Sequence, residues 1–267
     1  MGGRLRPSRT VVWHALPWLT AVVVLAAWEA VAEWNTSVLP KSDVPPPSSI
    51  ASALSTQVGT GRFWSAVEQT MKGWSFGLVL GFAIAVPLGI LIGSSRPLYR
   101  SLRAPIELLR PIPGLTVLPL LVLLVGLGFE LKLVLVTVSA FWPLFLQTVY
   151  GVQDVDPVAV DMARSYGLGP LERFRRVVLP GALPYVATGV RLAATTALEV
   201  AIAVELLVGG HGIGTELGTT ATYGRIPAMY AYILTACVLG LAINLGFRGV
   251  ERRLLHWHSS QRRVVAV

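Results

Sequence analysis

The chain has 267 residues, of which 54% are hydrophobic and only 13% are charged, and its mean hydropathy is +0.64. This composition excludes an ordinary soluble domain and indicates a polytopic membrane protein. The formal net charge of +8 would suit a nucleic-acid-binding protein, but the arginines lie in clusters between long apolar stretches, so we expect no nucleic-acid partner.

Six apolar segments follow one another along the chain, each close to the roughly 20 residues that a membrane-spanning helix needs. The sequence therefore predicts an all-α polytopic bundle of about six transmembrane helices. We expect an N-terminal anchor helix with an external linker (1–66), a core transmembrane domain (67–250) with a loop at 151–182, and a basic tail (251–267). The predicted spans are 11–31, 67–93, 104–127, 131–150, 183–208 and 228–250.

The first segment has two interpretations. Basic residues, an apolar run and then Ala30-Val31-Ala32 fit a cleavable signal peptide. Trp18, Trp28 and the length of the run favour a retained anchor, and Glu29 is awkward just before a cleavage site. We expect an anchor, with cleavage as the alternative.

The third segment is unusually rich in helix breakers, with three prolines and a glycine between Arg110 and Pro119 and a further proline at 105. Carbonyls that lose their helical partners are tolerated in a membrane only where they face protein or water. We therefore expect this run to face other protein or an aqueous path. A kinked helix with a packing role alone is the alternative.

Arginine clusters indicate which connections lie in the cytoplasm. With these clusters inside, both termini and the 151–182 loop are predicted to be cytoplasmic. The clusters hold 16 of the 22 Lys and Arg residues: Arg4, Arg6, Arg9; Arg96, Arg100, Arg103, Arg110; Arg164, Arg173, Arg175, Arg176; and Arg248, Arg252, Arg253, Arg262, Arg263. The charge-poor connections hold Lys41, Arg62, Lys72, Lys132 and Arg225.

The loop at 151–182 predicts two short helices. Asp156 can cap a helix that begins at Pro157, and Gly167 fits a left-handed stop after about ten residues. After the turn at 168–170, a second helix can run to 178, where Leu179-Pro180 is predicted to break it. The pattern indicates a rigid knob, with an ordinary solvated loop as the alternative.

The same loop carries a spaced motif, E-A-A-x3-G-x9-I-x-L-P, which is typical of the permease subunits of bacterial ABC importers. The chain resembles that family. Asp161, Met162 and Val177 depart mildly from the pattern. The matching positions are Ala163, Gly167, Leu179 and Pro180.

The resemblance implies that this loop forms coupling helices that dock on ATPase subunits. The coupling residues it indicates are Asp161, Ala163, Arg164, Gly167, Leu168, Gly169, Leu179 and Pro180. It also implies the type I importer permease fold, with an amphipathic helix at 48–57 along the membrane surface.

Three further stretches, at 110–113, 175–184 and 203–207, are similar to the nitrate/sulfonate/taurine-type subfamily. This similarity implies a bacterial cytoplasmic-membrane subunit that forms a homodimer in contact with membrane lipid. It would work with two ATPase subunits, which bind ATP-Mg, and with an extracytoplasmic solute-binding protein that delivers a small anion. The chain has no Gly-Lys-Ser/Thr at the end of a glycine-rich loop, so we expect no cofactor of its own.

The alternative function is a stand-alone channel or a membrane-embedded enzyme. The spans contain no His, Asp and Glu at the spacing of metal ligands or of a catalytic triad, which argues against an enzyme. His256 and His258 do not share a helix face, so we expect no metal site there. The one cysteine, Cys237, excludes an intrachain disulfide.

Ionisable residues within spans are costly and usually face a partner or water. Arg191 could alternatively snorkel to the interface, and Glu205 could be solvated near the external end. Glu199 lies mid-span, so a path or dimer interface is expected there, with a buried hydrogen bond as the alternative. The candidate path residues are Arg110, Pro113, Thr116, Arg191, Glu199 and Glu205.

The run from Gly209 to Gly214 has the spacing of a phosphate-binding glycine loop, but it follows a membrane span on the predicted external side. We therefore expect a tight re-entrant turn near an external gate rather than a nucleotide site. Its key residues are Gly210, Gly212 and Gly214.

Overall fold

The structure, a computed structural model, describes residues 9–33 and 43–255. These two stretches are helical, and no strand occurs within them. Short breaks at glycine and proline separate the helices, as the all-α prediction requires. The helices are α1 (Arg9–Glu33), α2 (Pro47–Val58), α3 (Gly61–Gly93), α4 (Arg96–Leu109), α5 (Leu118–Val125), α6 (Phe129–Gln153), α7 (Pro157–Ser165), α8 (Pro170–Arg173), α9 (Leu179–Val208), α10 (Ile213–Thr222) and α11 (Ile226–Leu254).

The centre of the bundle is the packing of α3 on α6. A stripe of small residues on α3 recurs every fourth position and is buried throughout. A Cβ on Gly81 would lie 2.9 Å from Ala140 Cβ, and one on Gly89 would lie 2.7 Å from Thr148 Cβ. Small residues of this spacing let two helix backbones approach closely in a membrane. The stripe consists of Gly73, Gly77, Gly81, Ala85, Gly89 and Gly93.

Helix α9 packs against both α6 and α3 and completes the core. Its alanines Ala193, Ala194, Ala197 and Ala201 are buried in the same cluster as Leu144 and Val149 of α6 and Leu78 of α3. Gly151 of α6 approaches Tyr185 of α9, and Gly189 of α9 approaches Gln147 of α6, so these two helices run antiparallel. The core is therefore a close-packed group of three helices that all contact one another.

Three helices of the described part (α3, α6 and α11) are long and apolar enough to cross a membrane. The number rises to five if each of two bent pairs counts as one span. Helix α1 covers the predicted first segment, and side chains are not described at residues 9–15 and 18. The predicted basic tail beyond 255 and the N-terminal residues 1–8 lie outside the described residues.

The prediction of one span at 104–127 is wrong in its boundaries. Residues 104–109 complete the amphipathic helix α4, and a 3₁₀ turn at Gly114–Val117 leads into the short apolar helix α5. The two parts meet at an angle of 75°. Proline removes backbone donors and restricts the residue before it, so the run of prolines ends α4 and redirects the chain.

The predicted break at Leu179-Pro180 is also wrong. A π turn, Phe174–Val178, joins α8 to α9 without interruption, and the Leu179 N–H donates to Phe174 O. Proline clashes with the carbonyl four residues earlier in a regular α-helix. The wider π turn directly before Pro180 relieves this conflict, as π bulges commonly do at irregular points of a helix.

Candidate functional site

The knob is the segment 156–173, with α7, the turn at 166–169 and α8. Asp156 caps α7, because its Oδ1 accepts from Val158 N–H at 2.8 Å. At the other end Gly167 has φ +76°, Gly167 N–H donates to Arg164 O, and Leu168 N–H donates to Ala163 O. This pair of bonds is the Schellman arrangement, so both ends of the short helix are fixed. The prediction of a helix that begins at Pro157 and is stopped by Gly167 is confirmed, and the helix itself ends at Ser165.

Two of the predicted coupling residues have internal roles in the knob. Ala163 is buried, and Gly167 supplies the left-handed backbone of the stop. Gly169 precedes α8 in an extended conformation, φ −63°, which any residue can adopt. Leu179 and Pro180 lie in the continuous helix after the π turn. Ala163 and Gly167 therefore shape the knob, whereas Leu179 and Pro180 lie beyond it.

The knob surface has a feature that the motif did not indicate. Four large apolar side chains are exposed on it: Val158 (62%), Met162 (53%), Tyr166 (80%) and Leu171 (70%). The first three recur every fourth position, so they lie on one side of α7 and its end. The four-residue spacing of Val158, Met162 and Tyr166 along a predicted helix could have revealed this apolar row.

The charges of the knob and of the π turn that follows it form exposed local pairs. Arg164 lies 3.5 Å from Asp161, and Arg176 lies 3.0 Å from Glu172. Each of these side chains is at least half exposed. Pairs of this kind contribute about 0–1 kcal/mol to stability. The predicted contact residues Asp161 and Arg164 are therefore free to exchange partners.

The bend between α4 and α5 holds three candidate path residues. Arg110, Pro113 and Thr116 are all exposed in the described chain. Thr116 N–H donates to Pro113 O at 2.9 Å, which sets the 3₁₀ turn. The apolar residues of the turn and of α5 pack on Leu131, Leu135 and Val204 of α6 and α9. The structure thus brings the bend alongside the middle and end of α9.

Two candidate residues of α9 differ sharply in environment. Arg191 pairs with Glu251 of α11 at 3.4 Å, so it has a partner in its own chain. Glu199 is exposed, and within residues 9–33 and 43–255 no hydrogen-bond or ion-pair partner is found for it. The described part of a single copy therefore provides no buried hydrogen bond for Glu199. A carboxylate exposed in the middle of a span requires protein or water against that face of α9.

Glu205 is buried rather than solvated, so the interfacial alternative is wrong. Its side chain is 1% exposed and lies 3.0 Å from the Lys132 ammonium of α6. Its other oxygen accepts from the Thr70 hydroxyl at 2.8 Å and from Gly214 N–H at 3.0 Å. Lys132 also donates to the carbonyls of Gln69 and His211. The pair ties α3, α6 and the turn after α9 together.

Lys132 is counted above with the charge-poor connections although it lies at the start of the predicted span 131–150, and the structure places it inside the helix. The residue is the fourth in α6, and only 6% of it is exposed. The sequence did contain an indication of this ion pair. Lys132 lies just inside one predicted span, and Glu205 lies just inside another, at the same predicted side of the membrane. A buried charge requires such a partner.

The glycine run makes a tight turn between α9 and α10, as predicted. Gly209, Gly210 and Gly212 have φ of +84°, +107° and +153°. Gly214 differs, because it is the second residue of α10 and lies against Ile202 O and the Glu205 side chain, where a Cβ would have no room. The Glu205 side chain fixes this turn by accepting a hydrogen bond from Gly214 N–H. A role as an external gate stays a prediction.

The comparisons with known proteins agree with this geometry. Residues 85–256 match the family described as "Binding-protein-dependent transport system inner membrane component". This chain belongs to that family. The match covers α6, the knob, α9 and α11, together with the second half of the stripe on α3.

Several named members of the family resemble this chain along most of its length. The taurine transport system permease protein TauC of Escherichia coli (strain K12) is 29% identical over 90% of this chain and 88% of its own. The putative aliphatic sulfonates transport permease protein SsuC of the same organism is 28% identical over 94% and 95%. The nitrate import permease protein NrtB of Leptolyngbya laminosa is 28% identical over 69% and 66%.

Solved structures agree on the fold. A chain of the MetNI methionine ABC transporter in an inward-facing conformation superimposes with a TM-score of 0.63 at 23% identity, covering 70% of this chain and 94% of that one. An amino acid ABC transporter with histidines gives 0.61 at 21% identity, covering 75% and 97%. The type I importer permease fold is therefore confirmed.

This binding-protein-dependent permease is a transport subunit of an ABC importer and not an enzyme. Permeases of the family work with ATPase and binding-protein partners, and the chain is a multi-pass protein of the cytoplasmic membrane. The alternative of a stand-alone channel or membrane enzyme is wrong. The roles of individual coupling and path residues stay predictions.

Proposed function

We propose that two copies of this permease form the path for a small anion, and that the knob of each copy docks into an ATPase subunit. The ATPase subunits, two per transporter, bind ATP-Mg, and this chain binds no cofactor. A solute-binding protein delivers the anion on the opposite side. Both termini and the knob face the cytoplasm, in keeping with the arginine clusters on that side.

The observation that carries the docking proposal is the exposed apolar row on the knob. Val158, Met162 and Tyr166 stand on a helix whose two ends are fixed by Asp156 and Gly167. An exposed apolar row among charged residues favours a protein partner, and a short helix that presents residues every fourth position suits a groove. Because the helix is preorganised, docking costs little conformational entropy.

The dimer proposal rests on the exposed face of α9. Glu199 lies mid-span without a partner in the described chain, and its neighbours Leu192 and Leu206 on the same side are also exposed. A carboxylate that faced hydrocarbon would cost a few kcal/mol on insertion scales. A second copy of the permease, with a water-filled path between the two, removes that cost. The exposed bend at Arg110, Pro113 and Thr116 lies beside the same helix.

The substrate proposal is a small anion. The resemblance to nitrate, sulfonate and taurine systems supports it, and so does the exposed Arg110 at the bend beside α9. The negative Glu199 would repel an anion unless it is paired in the dimer or protonated. Arg191, already paired with Glu251, is less suited to that task than a residue of the second copy.

Purification of the complex tests the docking proposal. Met162→Glu places a charge in the apolar row and should release most of the ATPase from the affinity-purified permease, because the carboxylate would be buried against the groove. Gln153→Glu adds the same charge to an exposed position at the end of α6 and should leave the ATPase bound. Equal recovery of ATPase with both variants would overturn the proposal.

A further inference from the structure

An open apolar groove lies between α1, α2 and α11, and two of its walls, α1 and α2, precede the residues that the family match covers. Its volume is about 670 Å³, which lies within the range of small-molecule pockets. The walls are almost entirely apolar, with Leu25 from α1, Ile50 and Leu54 from α2, and Ile233 and Leu234 from α11. The contents of the groove must therefore be apolar too.

One end of the groove is polar and aromatic. Trp28 and Tyr230 lie together there, with ring centroids 6.5 Å apart. Close by, Glu29 accepts from Ser48 N–H at 3.0 Å and from the Ser48 hydroxyl. Tryptophan and tyrosine concentrate at the level of lipid headgroups, where one side of the ring is apolar and the other polar. The groove thus begins at the membrane interface and descends into the hydrocarbon.

Trp28 carries an unsatisfied donor at this end. Its indole Nε1 is buried, and no acceptor for it is found among the described residues. An indole N–H that is buried usually has a hydrogen-bond partner. The atom therefore indicates a missing acceptor at the rim of an apolar groove.

We propose that the groove binds one phospholipid, with an acyl chain along α11 and an ester carbonyl that accepts from the Trp28 indole. From Tyr230 to Cys237 the groove descends seven residues of helix, or about 10 Å. This length takes the glycerol ester and the upper part of a chain. The lipid would fasten the anchor helix α1 and the surface helix α2 to α11, in addition to the direct contacts among these helices.

A phospholipid fits the groove better than a second copy of the protein. The rim supplies one unsatisfied donor next to an aromatic pair, and the hydroxyls of Ser55 and Tyr230 already donate to backbone carbonyls, so little in the lining would specify a protein partner. The exposed side of α1 around the groove is apolar as well, with Leu25 at 51% and Val24 at 59%, as expected for a helix in contact with lipid.

Photo-crosslinking with a phosphatidylethanolamine that carries a diazirine in its acyl chain tests the proposal. The full chain in nanodiscs of that lipid should give adducts concentrated on residues 230–237 and 25–28. Ala51→Trp fills the groove from the exposed wall of α2 and should reduce these adducts at least about five-fold. Ser52→Trp puts the same side chain at an exposed position outside the groove and should leave them unchanged.

Trp28→Phe separates the hydrogen bond from the packing. The ring remains and the donor is lost, so a purified chain should retain the lipid about two- to ten-fold less in native mass spectrometry. The single cysteine tests the alternative that a second copy of the protein occupies the groove, because Cys237 lies on the groove wall. Disulfide-linked dimers through Cys237 on oxidation in membranes would show a second copy in the groove. Those dimers, or adducts spread evenly over all exposed helices and unchanged by Ala51→Trp, would overturn the proposal.

Discussion

Replacement of Lys132 by methionine tests the buried ion pair that holds the bundle and the glycine turn together. The change keeps the length of the side chain but leaves Glu205, which is 1% exposed, without its cation. Removal of one partner of a buried pair costs about 3–5 kcal/mol. Glu205 keeps the Thr70 hydroxyl and Gly214 N–H, so we expect the lower end, about 3 kcal/mol.

Such a loss lowers the melting temperature of a domain of this size by roughly 6–12 °C. Glu205→Gln should cost less, since the Lys132 ammonium lies closer to solvent and keeps the carbonyls of Gln69 and His211. The double variant should recover at least about 1 kcal/mol relative to the sum of the singles, because neither charge is then left alone.

The assay is thermal unfolding of the purified chain in detergent, followed by fluorescence-detected size exclusion. Lys72→Met is the matched control, because Lys72 is 49% exposed in a pair with Glu68 and should cost less than about 1 kcal/mol. A Lys132→Met protein that melts with the wild type, or a double variant whose loss equals the sum of the singles, would refute the ion-pair argument.

Three more changes test other parts of the structure. Gly81→Leu drives a side chain into Ala140 and should destabilise the bundle by about 1–3 kcal/mol in the same melting assay. The control Gly246→Leu places its side chain in open space and should not lower the melting temperature. Equal melting temperatures of the two variants would contradict the close approach of α3 and α6. Gly167→Val strains a backbone with φ +76° and should abolish substrate-stimulated ATP hydrolysis at normal membrane abundance. The control Gly169→Val should be tolerated, because Gly169 has φ −63°. Normal stimulation of ATP hydrolysis in Gly167→Val would count against a rigid knob. Glu199→Gln should impair uptake more than abundance, and wild-type uptake would remove Glu199 from the path or the dimer interface.

The sequence was sufficient to predict the first helix of the knob, because the interactions that fix the ends of that helix are local. Asp156 and Gly167 act on backbone groups within a few residues, so capping rules locate the helix without knowledge of the rest of the fold. The apolar spans are similarly local, and α3, α6, α9 and α11 lie where hydropathy puts them.

The remaining features depend on residues far apart in the chain. Lys132 and Glu205 meet only because α6 and α9 pack antiparallel, and neither residue alone indicates the other. The continuous helix through Pro180 depends on a π turn, which has no simple sequence rule. The small residues at every fourth position of α3 form a visible sequence pattern. The sequence does not identify the helix that packs on them, since a face of small residues fits any helix that can approach it.

The docking of the knob on an ATPase is the central claim, and photo-crosslinking at one position tests it most directly. A photoreactive benzoylphenylalanine at position 162, in place of an exposed methionine in the apolar row, should link the permease to the ATPase subunit in intact membranes. The same probe at 123, in place of an exposed leucine of α5, reports the background. We expect an ATPase adduct from 162 and none from 123; the absence of an ATPase adduct at 162 while the transporter remains active would contradict the account.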